Sequence, residues 1–162
     1  MATTTSETQS FTAYYQSPIG LVKIVGSRDR ILWLKFVGPQ QTSDAHLTPG
    51  LKKCIAQIDE YFKGIRKKFS IDLLLQGTDF QKSVWHQLQK IPHGHTASYG
   101  DIARAICNPQ ACRAVGLANG KNPVSIIVPC HRIIGSNGTL TGYGGGLWRK
   151  EWLLKHEKAA FF

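Results

Sequence analysis

The chain has 162 residues, of which 42% are hydrophobic, so it has enough apolar material for one core or for two small ones. Its 20 Lys and Arg outnumber its 10 Asp and Glu, which gives a formal charge of +10. Such an excess is typical of proteins that bind nucleic acid, although a soluble basic protein without that partner would also show it. No apolar run approaches the ~20 residues that span a bilayer, so we expect no membrane segment.

The four cysteines and the amino terminus indicate a reducing compartment. Residues 1–10 are polar and lack the basic and apolar blocks of a secretory signal, so we predict a disordered tail in a cytoplasmic or nuclear protein. No CxxC pair occurs, and neither a disulfide framework nor a metal site is predicted. Cys54 lies on an apolar helical stripe and is expected in the core, whereas Cys107 and Cys112 are expected to be small packing residues.

The first part of the chain has the pattern of a small α/β domain, which we place over residues 11–74. Residues 11–37 are predicted to form β-hairpins. Apolar residues then recur at helical spacing over 51–65, and Thr48 can cap that helix. An alternation of apolar residues over 69–73 predicts one more strand.

Short helices follow from residue 75. Asp79 can cap the first of them and Ser98 the second, and Asn108 can cap a third, predicted over 110–119. The second and third helices together are a candidate for a helix-turn-helix motif. Because short helix pairs occur in many proteins, this pattern alone does not establish DNA binding.

The third helix is rich in small residues, among them Ala111, Ala114 and Gly116, and Arg113 is its one charged residue. A small-residue face lets a helix approach a narrow surface closely, and a lone arginine there could reach into a base stack. The residues alone favour the simpler alternative, in which the helix packs against another helix and Arg113 is solvated.

The last part of the chain contains the most unusual cysteine. Residues 125–128 are predicted to form a short buried strand that leads into Pro-Cys-His-Arg at 129–132. A glycine-rich loop follows over 135–146, and a helix over 147–157 ends the pattern. We place this second domain over 75–162, and the chain has no internal repeat.

Cys130 is set apart by its neighbours, Pro129 and His131. A thiolate is a far better nucleophile than a thiol, and forming one requires a nearby base or positive field. His131 could be that base, and Glu157 is the candidate carboxylate that would orient its ring. Adjacent side chains on a strand point to opposite faces, so the pair would need a bridging water or a turn. From these residues alone, a buried structural cysteine remains the stronger alternative.

The sequence around this cysteine resembles a known family. Residues 127–134 (IVPCHRII) resemble the active-site signature of the O6-alkylguanine-DNA alkyltransferases, also called methylated-DNA–protein-cysteine methyltransferases. The resemblance continues in order and spacing through residues 97–103, 113–116, 119–123, 142–147 and 150–154. It covers about residues 80–157, whereas the amino-terminal half resembles the family only at 17–20 and 61–62. A carboxy-terminal pattern of this length is highly specific.

The resemblance implies a fold and a partner. The family has a small amino-terminal ribonuclease-H-like α/β domain and a mainly helical carboxy-terminal domain with a helix-turn-helix. Its partner is double-stranded DNA containing O6-alkylguanine, bound in the minor groove, whose narrow width fits Ala111, Ala114 and Gly116. Arg113 matches the arginine finger that fills the gap left by the flipped base. Tyr99 matches the tyrosine that helps to extrude the nucleotide.

The resemblance also implies a reaction without a cofactor. Cys130 would take the alkyl group of O6-alkylguanine or O4-alkylthymine onto its own sulfur, once and irreversibly. His131 would act as the base through water, and Glu157 would orient it. Asn122 matches a hinge residue that links the DNA-binding helix to the active site.

Four further matches surround the base pocket. Tyr143 and Gly144 would line it, Ile133 would supply a backbone contact, and Lys150 would lie close by. Gly144 stands where the family often has a serine, so a side-chain contact to the base is absent and only the backbone N–H remains. This departure bears on the preferred alkyl group rather than on the reaction.

We expect the alkyltransferase to be a monomer. Three other functions would fit parts of the pattern. An alkyltransferase-like DNA-binding module would lack the nucleophile, whereas this chain has Cys130. A cysteine hydrolase would turn over repeatedly and would need an oxyanion hole. A transcription regulator would read base edges, for which the third helix offers few side chains.

Overall fold

The computed structural model describes residues 9–39, 43–44 and 46–159, so most of the predicted tail at 1–10 lies outside the described residues. The chain divides after Leu75 into two compact units. The first contains a small antiparallel sheet and one helix, and the second is mainly helical. The fold class predicted from the sequence is therefore confirmed. None of the helices in these ranges combines the length and the apolar composition that crossing a bilayer demands.

The sheet of the first unit is a three-stranded meander in the order β1-β2-β3. Its strands are β1 (Phe11–Ser17), β2 (Gly20–Gly26) and β3 (Ile31–Phe36). Ser17 pairs with Gly20 across the first turn, and the Ser17 hydroxyl donates to the Gly20 carbonyl at 2.6 Å. Gly20 has φ = 125°, a backbone conformation that glycine adopts without the steric cost of a Cβ.

One helix, α1 (Pro49–Phe62), covers this sheet. Thr48 caps it as predicted, since its hydroxyl accepts the N–H of Leu51 at 3.3 Å. A stripe of fully buried side chains faces the sheet, and burying each large one stabilises the fold by about 1.5–3 kcal/mol. The stripe consists of Leu51, Cys54, Ile58 and Tyr61. Cys54 lies in the core as expected, and burial raises the pKa of its thiol to about 12, which makes it a poor nucleophile.

Two predictions for the end of this unit are wrong. Ile65 lies beyond α1 and is 70% exposed, so it does not belong to the buried stripe. Residues 69–73 do not form a strand but make a single parallel bridge between Leu73 and Ile31. The Ile31 N–H donates to the Asp72 carbonyl, and the Ile31 carbonyl accepts from the Leu74 N–H, each at 2.9 Å. The pairing does not extend beyond this bridge into a strand.

The second unit is built from short elements. They are α2 (Asp79–Leu88), β4 (Ala97–Ser98), α3 (Tyr99–Ala105), α4 (Cys112–Gly120), a 3₁₀ turn (Cys130–Arg132), β5 (Ile133–Ile134) and α5 (Leu147–His156). α4 packs against both α2 and α3. Trp85 of α2 is buried, and its indole N–H donates to the carbonyl of Ala118 in α4 at 2.9 Å. The buried side of α2 thus supports the helix pair α3–α4 through its packing against α4.

The helix starts agree only in part with the sequence predictions. Ser98 caps α3, but Thr78 rather than Asp79 caps α2. Asn108 does not cap α4, because the chain makes a further turn in which the Asn108 carbonyl accepts from the N–H of Ala111. α4 therefore begins at Cys112, two residues later than predicted, and it includes Gly120. Cys112 and Cys107 are both exposed, so their assignment as packing residues is wrong.

The predicted strand over 125–128 is also wrong. The segment is buried, but it forms tight turns in which Ile127 donates to the Ser125 carbonyl at 2.8 Å and Val128 to the Val124 carbonyl at 3.0 Å. Ile126 has φ = 72°, which is incompatible with a strand and unusual for a β-branched residue. Cys130 consequently begins a 3₁₀ turn rather than ending a strand.

Candidate active site

Cys130 is held by its backbone at the start of the 3₁₀ turn, with 6% of its surface exposed. Its N–H donates to the Val128 carbonyl at 2.8 Å, and its carbonyl accepts from the side chain of Asn119 in α4 at 3.5 Å. The two residues after this turn form β5, which pairs in parallel with β4 at the start of α3. Ile133 lies in β5 opposite Ala97 and is fully buried, so the segment after the cysteine is tied to the helix pair.

Asn122 holds the tight turns that precede the cysteine. Its side-chain N–H donates to the Val128 carbonyl at 2.7 Å, and its side-chain oxygen accepts from the Val124 N–H at 3.0 Å. The side chain is buried, so both hydrogen bonds satisfy backbone groups that have no access to water. Asn122 therefore connects the end of α4 with the segment that positions Cys130.

His131, Arg132 and Glu157 form a buried charge network. Glu157 Oε1 lies 2.8 Å from His131 Nε2 and accepts from Arg132 Nη2 at 2.9 Å, and its Oε2 accepts from Arg132 Nε at 2.9 Å. The third nitrogen of the guanidinium, Nη1, donates to the Ile91 carbonyl at 2.6 Å. The arginine and carboxylate thus make a bidentate pair, the stronger geometry for such ions.

The network determines which nitrogen of His131 carries the proton. His131 and Arg132 hold the pKa of Glu157 well below its usual range despite burial, so the carboxylate is ionised and can only accept. Burial lowers the pKa of His131, and the attraction of Glu157 only partly opposes this. A neutral His131 must therefore donate through Nε2, which leaves a lone pair on Nδ1. Nδ1 is buried and has no hydrogen-bond partner among the described side chains and backbone.

Lys150 and Tyr143 interact electrostatically with Cys130. Lys150 is fully buried, its Nζ donates to the Thr141 carbonyl at 2.8 Å, and burial lowers its pKa to about 8, with the charge of Cys130 opposing that shift. Burial raises the pKa of Tyr143 well above its usual value, and the charge of Cys130 raises it further. A cationic Lys150 would stabilise a thiolate at Cys130, while Tyr143 stays a neutral donor.

Tyr99 connects the helix pair with the glycine-rich loop. Its ring faces Gly116 of α4, where a Cβ would lie 3.6 Å from the ring. Its hydroxyl makes a 2.6 Å hydrogen bond with the hydroxyl of Thr141. Gly144, in the same loop as Thr141, is exposed and has open space where a Cβ would be.

The remaining predicted residues lie on α4 and its N-cap. Arg113 and Ala114 are exposed, and Ala111 and Gly116 are half-buried. They do not belong to the residues that interact with the cysteine segment or with one another beside it, which are Asn122, Cys130, His131, Tyr143, Lys150 and Glu157. The predicted residues thus form two groups, one in and against the segment that contains Cys130 and one on the surface of α4, and Tyr99 contacts α4 and the glycine-rich loop.

Two residues of the site were not singled out by the sequence analysis. The guanidinium of Arg132 donates to the carboxylate of Glu157 and holds it in place. The carbonyl of Thr141 accepts from Lys150, and its hydroxyl forms a hydrogen bond with the hydroxyl of Tyr99. The position of Arg132 beside His131 is the one sequence signal that could have suggested its role. Within the ranges that the structure describes, no three His, Cys, Asp or Glu side chains are grouped so that they could hold a metal ion.

Two family models match the chain, and between them they cover most of it. Residues 79–159 match the DNA-binding domain of 6-O-methylguanine DNA methyltransferase, and residues 11–75 match its ribonuclease-like domain. The unit that contains the buried cysteine and the two short packed helices therefore matches the DNA-binding domain of a known class of methyltransferases. The chain belongs to the 6-O-methylguanine DNA methyltransferase family.

Individual relatives agree with this assignment. The methylated-DNA–protein-cysteine methyltransferase of Methanosarcina acetivorans is 45% identical over 150 residues, which are 90% of this chain and 96% of that protein. The crystal structure of Mycobacterium tuberculosis O6-methylguanine methyltransferase is 46% identical and covers 93% of both chains with a TM-score of 0.82. The M. tuberculosis protein in complex with DNA is 49% identical and covers 91% of this chain and 92% of that one, again with a TM-score of 0.82.

Proposed function

We propose that this protein repairs DNA by transferring the alkyl group of O6-alkylguanine, or of O4-alkylthymine, to the sulfur of Cys130. The observation that carries the proposal is the buried His131–Glu157 hydrogen bond directly after a buried cysteine, in a chain of this family. The Nδ1 of His131 is the atom able to accept the thiol proton, through a bridging water. The positive charge of Lys150 would stabilise the thiolate of Cys130.

The reaction balances without a cofactor. The thiolate attacks the alkyl carbon, the sulfur–carbon bond forms as the bond from carbon to O6 breaks, and the displaced guanine takes up the proton that the thiol gave. The product at Cys130 is a thioether, whose carbon–sulfur bond water does not hydrolyse under these conditions. Each molecule therefore acts once.

The alkylated base must leave the helix to reach a cysteine that is 6% exposed. We assign the approach to DNA to α4, whose exposed surface carries small residues that suit the minor groove. Arg113 projects from this surface and would occupy the space of the flipped base. Tyr99, between α4 and the loop, would support the extruded nucleotide. Double-stranded DNA is thus the proposed partner.

Further residues complete the proposed pocket. Tyr143, Gly144 and the backbone of Ile133 would contact the base, and Asn122 would keep the cysteine segment fixed to the end of α4. We also infer a domain arrangement of a disordered tail at 1–10, an α/β domain at 11–74 and the reactive domain at 75–162. The protein would act as a monomer in the cytoplasm or nucleus.

A labelling experiment tests the transfer directly. Duplex DNA carrying O6-methylguanine with a radiolabelled methyl group should label the protein to a limit of one methyl per molecule. Cys130→Ala should take up no label and still bind the DNA. Cys107→Ala, which removes an exposed thiol outside α4, is the matched control and should label fully. Uptake of label by Cys130→Ala would refute the proposal, and repeated turnover would favour a cysteine hydrolase.

A further inference from the structure

Thr141 lies between two residues of the site and contacts both. Its hydroxyl makes a 2.6 Å hydrogen bond with the Tyr99 hydroxyl, and its carbonyl accepts from Lys150 Nζ at 2.8 Å. Lys150 in turn interacts electrostatically with Cys130, and the Tyr99 ring faces Gly116 on α4. Contacts therefore run from the helix assigned to DNA, through Tyr99 and Thr141, to Lys150, whose charge acts on Cys130.

The Thr141 hydroxyl can hold Tyr99 without occupying its capacity to donate. A hydroxyl carries one donor and two acceptor sites, and either oxygen of this pair can be the donor. If Thr141 donates, the O–H of Tyr99 stays available for an incoming nucleotide. The ring is then held in place before DNA arrives, so its ordering does not have to be achieved during extrusion.

We propose that Thr141 is a positioning residue for extrusion: its hydroxyl fixes Tyr99 at the junction of α4 and the glycine-rich loop. The inference rests on the proposed function, because it assumes that Tyr99 supports the flipped nucleotide. It assigns the hydroxyl no part in the chemistry at sulfur. Loss of the hydroxyl should therefore slow transfer from duplex DNA, where a base must be extruded, and spare transfer from a free base, where none is.

Thr141→Val is the informative variant, because valine keeps the size of the side chain and leaves the backbone carbonyl for Lys150. We expect its second-order rate with O6-methylguanine in duplex DNA to fall about threefold to tenfold, the effect of one net hydrogen bond. Its rate with the free base O6-benzylguanine should stay within about twofold of wild type. Thr141→Ser, which keeps the hydroxyl, should restore the duplex rate.

A second variant tests whether the hydroxyl acts through Tyr99. Tyr99→Phe removes the same hydrogen bond, so adding Thr141→Val to it should cause no further loss on duplex DNA. Should Thr141→Val not fold, Thr141→Ala provides the same comparison. An unchanged duplex rate, an equal loss on the free base, or a full additional loss in the double variant would each overturn the inference. A wild-type protein that takes up no label would instead refute the proposed function.

Discussion

At the level of single residues, Glu157 connects the groups that prepare the cysteine. One carboxylate contacts both the proposed base, His131, and the buried guanidinium of Arg132. All three side chains are buried, so the carboxylate of Glu157 and the guanidinium of Arg132 neutralise each other without help from water. Removing one partner leaves a buried charge uncompensated, which costs more than the intact pair contributes.

We predict that Glu157→Gln lowers the free energy of unfolding by about 3 kcal/mol at neutral pH, since Arg132 loses its counter-ion. The amide would also let the His131 ring change tautomer, so transfer should slow as well. The pKa of Glu157 is lowered by folding, so its stabilising effect is present above its ordinary pKa of 4.5 and is lost as the pH falls below it. Denaturant titrations of the wild type and of Glu157→Gln, from neutral pH to values below 4.5, measure the effect.

Glu151→Gln is the control for this prediction, because Glu151 lies on α5, the helix that Glu157 caps at its carboxy-terminal end. Its ion pair with Lys155 is exposed, with 46% and 58% of the side chains accessible. Such pairs contribute little, so stability should change by no more than about 0.5 kcal/mol. Equal losses in the two variants would mean that charge on α5, and not the buried network, determines stability.

At the level of elements, the segment before the cysteine depends on one side chain for its shape. Asn122 satisfies the Val124 N–H and the Val128 carbonyl, and Ile126 between them has a positive φ. Such a conformation persists only where the surroundings enforce it. The position of Cys130, two residues after Val128, therefore follows from these hydrogen bonds as much as from local preference.

Asn122→Ala should lower the free energy of unfolding by about 1–3 kcal/mol, because the buried Val124 N–H loses its partner, while the Val128 carbonyl keeps only its bond from the Cys130 N–H. It should also reduce the rate of transfer from the free base, since the sulfur is no longer held in position. Asn119→Ala is the matched control: it removes one long hydrogen bond, of 3.5 Å, to the Cys130 carbonyl and should cost less than about 1 kcal/mol. Thermal and denaturant unfolding, with the free-base rate, would reveal whether the two differ.

An element could be predicted from the sequence where residues close to it in the chain determine its structure, and could not where contacts with distant residues do. Thr48 and Ser98 were recognised as helix caps because a cap is decided within four residues. Residues 125–128 resemble a strand in composition, yet Asn122 and the buried packing around them impose turns. Asn108 failed as a cap because the chain turns once more before α4 begins.

The residues of the site were likewise predictable only where a short motif or the family pattern specifies them. The motif placed Cys130 and His131 together, and Glu157, 26 residues after His131, was named as the candidate carboxylate before the resemblance implied the same role. The partnership of Arg132 with that carboxylate depends on where α5 lies, which no local pattern specifies. Thr141 was missed because a single hydroxyl in a glycine-rich loop carries no signal until the Tyr99 ring is found beside it.

At the level of the whole molecule, the net positive charge differs between the two units, because the acidic residues are shared unequally. Residues 76–162 contain ten Lys and Arg against four Asp and Glu, whereas residues 1–75 contain ten against six. Cations that contact phosphates release condensed counterions from DNA, so affinity falls as salt rises. If α4 docks on DNA, the cations nearest to it should account for part of this dependence.

Lys121 is the cation to test, because it is exposed and caps the end of α4. We predict that Lys121→Ala reduces the slope of log affinity against log salt concentration by about one, the effect of one lost phosphate contact. Lys63→Ala, in the amino-terminal unit and already paired with Asp59, should leave the slope unchanged. Fluorescence anisotropy with undamaged duplex DNA, in a Cys130→Ala background, measures both. An unchanged slope for Lys121→Ala would place the phosphates away from this end of α4, and the proposed docking would then have to be replaced by one on another surface.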